Sequence, residues 1–221
     1  LFERAFSDRI LVAPCNNVGD ILEDPQLEAR DFWSQVHHPS LGRSLTYPGA
    51  YIKLSETPIA HRRPAPALGE HNDEVFGNAR PAKTNPQPMT SKSMAFEGLK
   101  VLDLTWVGVG PITMKYLADH GADVMHVESV TRPDVLRTTP PFKDGEPGFN
   151  RSQFPASYNT SKHGLGLNLA RPESRELIRR IIAEWQPDVI SESFTPRAMR
   201  NWGLDYESVR EIKPDIVYFS T

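Results

Sequence analysis

The fold is decided by the stretch Leu102-Asp-Leu-Thr-Trp-Val-Gly-Val-Gly-Pro111, in which a short apolar run enters a glycine-bearing turn and then a helix signal. Proline is well tolerated at the start of a helix, so Pro111 fits the helix side of this turn. A strand followed by a helix is the first half of a crossover between parallel strands. In open parallel sheets, ligands bind beyond the carboxyl ends of the strands. We therefore expect the turn after this first strand to face a ligand.

The alternation of strand and helix continues to the end of the chain. The predicted strands are residues 99–104, 123–128, 164–168, 187–190 and 216–220, and the predicted helices are residues 111–120, 171–185 and 206–213. Such alternation indicates an α/β fold with a Rossmann-like, doubly wound parallel sheet of about five strands.

The front of the chain is less regular and indicates an α+β segment. It offers helical pieces within residues 18–30, strands at 33–37 and 50–54, and a last helix at 69–76. Residues 77–94 are polar, contain prolines and have no hydrophobic period, which is typical of a linker. We therefore expect a front segment at 1–76, a linker at 77–94 and a back segment at 95–221.

The composition narrows the possible partners. The chain has 221 residues, 38% of them hydrophobic, and a formal net charge of -3, so no positive surplus attracts nucleic acid or an anionic membrane. No apolar run reaches the roughly 18 residues that span a bilayer. The single cysteine, Cys15, excludes an intrachain disulfide and favours a cytoplasmic location. No cluster of Cys, His and carboxylate residues has metal-site spacing, so no metal is expected.

The turn itself allows three interpretations. Gly108 and Gly110 have Gly-x-Gly spacing, and Glu128 lies at the end of the second predicted strand, as in nicotinamide dinucleotide sites. Against that interpretation, Thr113 occupies the third glycine position and Pro111 the helix start. The glycines could instead serve only the turn, or they could face another ligand that carries a nucleotide. The pattern alone leaves all three open.

Ordered motifs along the back segment add a resemblance to a known family. They are Phe96-Glu-Gly-Leu-Lys-Val-Leu-Asp-Leu-Thr105, Gly110-Pro111, Leu117-Ala-Asp-His-Gly-Ala-Asp-Val-Met-His-Val-Glu128, Asp134 with Arg137, Tyr158-Asn-Thr-Ser-Lys162, Ala170-Arg-Pro-Glu-Ser-Arg-Glu-Leu177 and Asp188-Val-Ile-Ser-Glu-Ser-Phe-Thr-Pro196. Together they resemble the amino-terminal part of class III (family III) CoA-transferases. One such motif is weak, but the ordered set covers the whole back segment.

The front segment resembles the carboxyl-terminal end of the same family. The similar residues are Ile21-Leu-Glu-Asp-Pro-Gln-Leu-Glu-Ala-Arg30, His38-Pro39, Leu41-Gly42 and Pro64-Ala-Pro-Ala-Leu-Gly-Glu-His-Asn-Asp-Glu-Val-Phe76. A family tail, a linker and a family head in this order indicate the junction of two fused modules, with circular permutation as the other possibility.

The resemblance implies transfer of CoA from an acyl-CoA thioester to an acceptor carboxylic acid by an aspartate nucleophile. It places that aspartate beyond Thr221, so we assign no catalytic residue in this chain and expect the chain alone to be inactive. Asp103, Asp134 and Asp188 are expected to be structural, and His126 to be a packed residue. The family's interlocked homodimers lead us to expect such a dimer, or pairing with other parts of the same chain.

The same resemblance predicts a set of residues that contact CoA. These are Trp106, Val107, Gly108, Val109, Arg132, Leu167, Arg171, Ser193, Phe194, Ala198 and Asn201. Trp106 could instead pack in the core, and Arg171 could be a solvated charge at a helix start. Ser129 stands where the family often has a basic residue, with Arg132 as a possible substitute, and Asn201 replaces a frequent arginine. Two alternatives therefore remain, an acyl-CoA racemase of the same family and a catalytically degenerate scaffold module.

Overall fold

The computed structural model describes residues 2–77 and 94–221. The chain divides into two compact units, a first unit before the undescribed stretch and a second unit after it. The predicted linker at 77–94 lies almost entirely outside the described residues, so its boundaries stay a prediction.

Over residues 2–77 the first unit contains four short helices and one hairpin. They are α1 (Phe2–Ser7), α2 (Val18–Leu22), α3 (Pro25–Ala29), β1 (Trp33–His38), β2 (Arg43–Pro48) and α4 (Asn72–Gly77). Asn17 caps α2 through a capping box, and Asp24 caps α3 with Pro25 in its first turn, so both helices begin where the sequence has its cap residues. Among the described residues of this unit, the buried apolar side chains are Ala5 and Val36. Such a small core gives the unit little stability of its own.

The predicted strand at 50–54 is wrong, because β1 pairs with residues 43–48 instead. Residues 39–41 form a single 3-10 turn, and Gly42 follows with a φ of 61°, a left-handed conformation that glycine adopts without strain. This turn reverses the chain at once, so that His38 pairs with Arg43 and Trp33 with Pro48 in an antiparallel ladder. One edge of β1 is thus paired before the chain reaches residue 50.

The second unit alternates strands and helices, as the sequence predicts. Its elements are β3 (Lys100–Leu104), α5 (Val109–Asp119), β4 (Asp123–Glu128), α6 (Gln153–Tyr158), β5 (His163–Gly166), α7 (Pro172–Trp185), β6 (Val189–Glu192), α8 (Pro196–Trp202), α9 (Tyr206–Ile212) and β7 (Val217–Ser220). All strand pairs are parallel, and the order in the sheet is β5-β4-β3-β6-β7. This is the order of a Rossmann sheet, which confirms the predicted fold class.

The core lies on both faces of this sheet because successive residues of a buried strand point to opposite sides. Leu102 and Leu104 of β3 pack with Ile178 and Ile182 of α7 on one face. Val101 of the same strand packs with α5 on the other face. Both faces of the sheet are therefore covered by helices. A ligand can bind at the carboxyl-terminal ends of the strands, where they continue into loops.

All five predicted strands of the second unit exist, with ends within two residues of those expected. The sequence analysis missed α6 and α8. The short α8 has a clear start, because Thr195 accepts a hydrogen bond from the Ala198 amide and Pro196 occupies the first turn. Its signal was present in the sequence, within a segment that the family resemblance describes as a loop.

Candidate ligand-binding site

The two central strands mark the point where a ligand would bind. From β3 the chain moves outward through β4 and β5, whereas β6 lies on the other side of β3 and leads to β7. At such a switch point the loops after the two central strands separate and leave a crevice. Here the loop after β3 meets the loop after β6 directly, because the Trp106 amide donates a hydrogen bond of 2.8 Å to Ser193 Oγ.

A groove of about 250 Å³ opens at this crevice, and we call it the aromatic groove. Its lining residues are Trp106, Val127, Ser129, Arg132, Leu167, Asn168, Leu169, Ala170, Phe194, Thr195, Ala198 and Trp202. The Phe194 ring stands edge-on between two indoles, with centroids 5.2 Å from Trp106 and 5.0 Å from Trp202. Edge-to-face aromatic pairs at these distances are attractive, so the three rings hold one another in place.

The structure brings many of the predicted contact residues together in this groove. Trp106, Arg132, Leu167, Phe194 and Ala198 line it. Trp106 is therefore no simple core residue, because its ring forms a wall of the cavity.

Three predicted residues, Ser193, Arg171 and Asn201, belong neither to the groove lining nor to the turn itself. Ser193 bonds to the Trp106 amide. Arg171 precedes α7 and is exposed, directly after the lining residue Ala170. Asn201 lies exposed on α8, and its carbonyl oxygen is 3.4 Å from Nη1 of Arg175. Arg175 also reaches the Ala170 carbonyl, so it is a further basic residue at this rim that the sequence analysis missed.

The predicted residues Val107, Gly108 and Val109 form the turn between β3 and α5. The Val107 amide donates a 2.7 Å hydrogen bond to Asp134 Oδ2. Within residues 94–221, no hydrogen bond occupies the amides of Gly108, Val109 or Gly110. They are the open donors at the start of α5, where the helix dipole favours negative charge.

The two glycines of the turn have different roles. A Cβ atom at Gly110 would lie 2.4 Å from the Cβ of Thr105, so the close packing of α5 against the end of β3 requires glycine. A Cβ atom at Gly108 would meet nothing within 4 Å, and its φ of -109° suits any residue. Packing inside the chain does not explain Gly108, whereas close approach of a ligand to its backbone would.

A second and larger cavity, of about 530 Å³, lies along β5 and the carboxyl-terminal half of β4, and we call it the charged pocket. Its lining residues are His126, Glu128, Ser129, Val130, Pro133, Arg137, Phe149, Asn150, Ser152, Pro155, Ala156, Asn159, Lys162, His163, Gly164, Leu165 and Gly166. Ser129 belongs to both cavities, so the two are neighbours along the same edge of the sheet.

A buried carboxylate stands behind the charged pocket. One Asp103 oxygen accepts hydrogen bonds from the amide and hydroxyl of Thr105, at 2.9 and 2.5 Å, and from Ser191 at 3.2 Å. The other oxygen lies 3.0 Å from His126 Nδ1 and 2.8 Å from Lys162 Nζ. Asp103 and Lys162 have almost no exposed side-chain surface. Asp103 therefore joins three strands and the segment before β5, which agrees with its predicted structural role.

An ion pair continues this network at the pocket wall. Glu128 accepts two hydrogen bonds from Arg137, of 2.6 and 2.5 Å, and lies 3.7 Å from His126 Nε2. Arg137 also donates to the Phe149 carbonyl and to Asn150. Glu128 is thus held inside the chain by a guanidinium, whereas the nicotinamide dinucleotide interpretation requires it as the partner of a ribose hydroxyl. This pairing counts against that interpretation.

The network shifts the pKa values of its members. Burial alone would raise the pKa of Asp103, but its contacts with His126 and Lys162 outweigh burial and lower the pKa. Burial opposes a charge on His126, yet the carboxylates of Asp103 and Glu128 raise its pKa. Contacts with His126 and Arg137 likewise overcome burial at Glu128 and lower its pKa to about 2. Burial lowers the pKa of Lys162. The two carboxylates beside His126 thus favour its protonated form.

The two other aspartates also have the structural positions that were predicted for them. Asp134 Oδ1 accepts from the Leu136 amide and caps the 3-10 turn at Val135–Thr138. Asp188 directly precedes β6, and its side chain accepts from the Lys100 amide. Across residues 2–77 and 94–221, no group of three or more His, Cys, Asp or Glu side chains is placed to hold a metal ion. In the same ranges, no helix is long and apolar enough to cross a membrane.

These features place the second unit in the class of Rossmann-like α/β units, with a candidate ligand groove at the switch point of the sheet. The family follows from comparison with known sequences. The sequence model of CoA-transferase family III matches residues 2–72 and 96–221, and the chain belongs to this family.

The relatives support this membership over part of their length. A succinyl-CoA:mesaconate CoA-transferase of Haloarcula marismortui is 40% identical over 129 residues, which cover 57% of this chain and 31% of that protein. A probable CoA-transferase of Mycobacterium tuberculosis, Rv1866, is 31% identical over 170 residues, or 77% of this chain and 20% of that protein. A crystal structure of a CAIB/BAIF family protein from Brucella suis matches with a TM-score of 0.52 and 36% identity, covering 58% of this chain and 33% of that one. The chain thus matches about a third or less of each relative's length.

Proposed function

We propose that the second unit binds the CoA part of an acyl-CoA, and that the protein transfers CoA from an acyl-CoA thioester to an acceptor carboxylic acid. The observation that carries this proposal is the aromatic groove at the switch point, next to the turn in which the amides of Gly108 and Val109 have no hydrogen-bond partner among residues 94–221. Membership of CoA-transferase family III supplies the type of reaction. The class of donor, an acyl-CoA, and the class of acceptor, a carboxylic acid, follow from the family and not from the geometry of the groove.

The groove suits the nucleotide end of CoA. Aromatic side chains such as Trp106 and Phe194 can stack on an adenine ring. Such stacking needs only the flat face of the base and not its substituents. At about 250 Å³ the groove is smaller than pockets that enclose drug-sized ligands, roughly 300–1,000 Å³. It would therefore enclose only a part of CoA, and the remainder would run along the surface.

Charge and open donors suit the rest of the ligand. Arg132 lines the groove, and Arg171 and Arg175 lie at its rim, so three guanidinium groups are available for phosphate oxygens. The free amides of Gly108 and Val109 could receive the pantetheine carbonyls or the thioester. In this proposal Asn201 contributes through its position beside Arg175 rather than as a phosphate-binding cation.

The two stretches that match the family model support the proposed fusion of two modules, with boundaries at 76 and 95. The match to Rv1866 extends over more of this chain but over a smaller share of that protein than the archaeal match does, so Rv1866 is about twice as long as the archaeal relative. A chain of two modules would have such a length. We also propose that the protein is cytoplasmic and that it forms a dimer. Light scattering on the purified protein would test the dimer.

Calorimetric titration with CoA tests the binding role. We expect CoA to bind, adenosine 3′,5′-bisphosphate to retain part of the affinity and pantethine to bind weakly, because the groove would hold the nucleotide end. NAD serves as the control for the dinucleotide interpretation and should not bind. Absence of CoA binding, or binding of NAD in preference to CoA, would contradict the proposal.

The reaction is tested by incubating succinyl-CoA, a donor suggested by the names of the relatives, and dicarboxylic acids with a protein that contains the whole family module. The same mixture with this chain alone is the control, which we expect to be inactive. Appearance of a new acyl-CoA in the mass spectrum supports transfer. Deuterium incorporation at the α carbon of a branched acyl-CoA, without transfer, would instead indicate a racemase. CoA binding with neither reaction would indicate a scaffold module.

A further inference from the structure

The turn between β3 and α5 has a backbone conformation that its sequence does not favour. Val107 has a φ of 70°. A β-branched residue in the left-handed region is a rare outlier, because its Cβ crowds the following carbonyl oxygen. Such a conformation persists only when the surroundings hold it in place, and these residues cluster at binding sites.

Two side chains hold this turn from opposite sides. Asp134 Oδ2 accepts the Val107 amide at 2.7 Å, and Ser193 Oγ accepts the Trp106 amide at 2.8 Å. Asp134 is only 3% exposed, so its carboxylate bonds to the chain and not to bulk water. Its other oxygen accepts the Leu136 amide at 3.0 Å. Both oxygens of one carboxylate therefore serve backbone amides that lie far apart in the sequence.

Asp134 is itself fixed from behind. Its own amide lies 3.4 Å from Glu128 Oε1, and Glu128 is held by the two short hydrogen bonds from Arg137. The ion pair thus anchors the loop after β4, and Asp134 extends from that loop to the turn after β3.

We propose that Asp134 is a positioning residue for the ligand, whose carboxylate keeps Val107 left-handed and thereby directs the free amides of Gly108 and Val109 toward CoA. This inference rests on the proposed CoA site. Asp134 does not touch the ligand in this account, since its two oxygens are occupied by Val107 and Leu136. It acts through the conformation of the turn.

A double-mutant cycle separates this role from a merely structural one. Glycine adopts positive φ without strain, so in a Val107→Gly background the turn no longer needs the carboxylate. We expect Asp134→Ala to weaken CoA binding about tenfold in the unsubstituted protein and about twofold in the Val107→Gly background. The readout is the CoA dissociation constant of the full chain by calorimetry, measured for all four proteins of the cycle. A structural role alone would lower the thermal unfolding midpoint equally in both backgrounds, with no coupling in CoA affinity.

Controls keep the outcome decisive. Asp188→Asn is the matched control, because Asp188 also accepts a backbone amide but does so at the other end of the sheet. If Asp134→Ala does not fold, Asp134→Asn replaces it, since an amide has one acceptor oxygen for the two N–H donors and should show a smaller loss with the same coupling.

Two failures are distinguishable. If the unsubstituted protein does not bind CoA, the proposed function falls and the positioning role falls with it. If CoA binds and the loss caused by the Asp134 substitution is the same in both backgrounds, only the positioning role is overturned.

Discussion

The aromatic groove and the charged pocket are neighbours on the same sheet, but their polar groups differ in whether they already have partners within the chain. Behind the charged pocket, Asp103, Lys162, Glu128 and Arg137 are buried or half-buried and pair with one another. Beside the aromatic groove, aromatic faces and backbone donors remain open. Charges that satisfy each other contribute to the scaffold, whereas unsatisfied donors beside an apolar wall are available to a ligand. The smaller cavity is therefore the better candidate for binding.

The largest effect should come from removing Asp103. Asp103→Ala would leave the buried side chains of Lys162 and His126 without their shared partner, and breaking such a buried pair typically costs about 3–5 kcal/mol. Urea unfolding measures the free-energy difference. Glu184→Ala is the control, because Glu184 pairs with Arg180 on an exposed helix face and its loss should not be measurable. An equally small loss at Asp103 would show that the network does not support the scaffold.

The turn that joins the two regions offers a matched pair of glycines. Gly110→Ala should destabilise the protein by about 1–3 kcal/mol, because the added methyl group overlaps Thr105. Gly108→Ala should leave stability almost unchanged and weaken CoA binding instead, since nothing in the chain occupies the space beside it. Thermal unfolding and CoA titration on both variants measure the two effects. A loss of stability in Gly108→Ala would indicate that Gly108 has a structural role and not a role in binding.

The two cavities can also be compared through one aromatic residue in each. Trp106→Ala removes a wall of the aromatic groove and should weaken CoA binding about tenfold, roughly 1.4 kcal/mol, which is in the range of one base–aromatic stack. Phe149→Ala removes a ring from the lining of the charged pocket and should leave CoA affinity unchanged. If the two substitutions had the reverse effects, the binding site would have to be moved to the charged pocket.

The fold could be predicted from sequence because its signals are local. Apolar runs mark four strands of the second unit and only weakly indicate β5, and helical spacing marks α7, whose Ile178 and Ile182 are buried. The hairpin of the first unit could not be placed correctly by the same means. The start of its second strand depends on Gly42, whose positive φ reverses the chain direction. Alternation of apolar residues does not indicate where this reversal occurs.

Part of the candidate site could be predicted from the family resemblance, and part could not. The resemblance pointed to Trp106 and Phe194, and the structure places both on the aromatic groove. It did not reveal that Asp103 and His126 meet, because their contact depends on the register of β3 against β4, where the two residues are direct partners. Lys162 joins them from 59 residues further along the chain. Polar residues inside two strands expected to be buried were the available signal, since buried polar groups require partners.

The smallest expected effect is a pH dependence that the charged pocket should produce and the aromatic groove should not. Glu128 has a pKa of about 2 in the folded protein against an ordinary value of 4.5, so its contribution is complete above pH 4.5 and is lost as the pH falls. His126 has a raised pKa, so its contribution is complete below pH 6.5 and is lost as the pH rises through the folded value. We therefore expect the free energy of unfolding to be greatest between about pH 4.5 and 6.5.

Urea unfolding from pH 3 to 9 checks this profile, and His126→Gln should flatten its alkaline side. One proton changes the free energy by at most about 1.4 kcal/mol per pH unit, which sets the steepest slope that His126 can cause. Lys162, whose pKa burial lowers, titrates in the opposite sense, so the slope is judged from the difference between the two proteins. Trp106→Ala should keep the slope of the unsubstituted protein, because the aromatic groove contributes no titrating partner to this network. A slope that changed with Trp106 and not with His126 would mean that the two cavities are not independent.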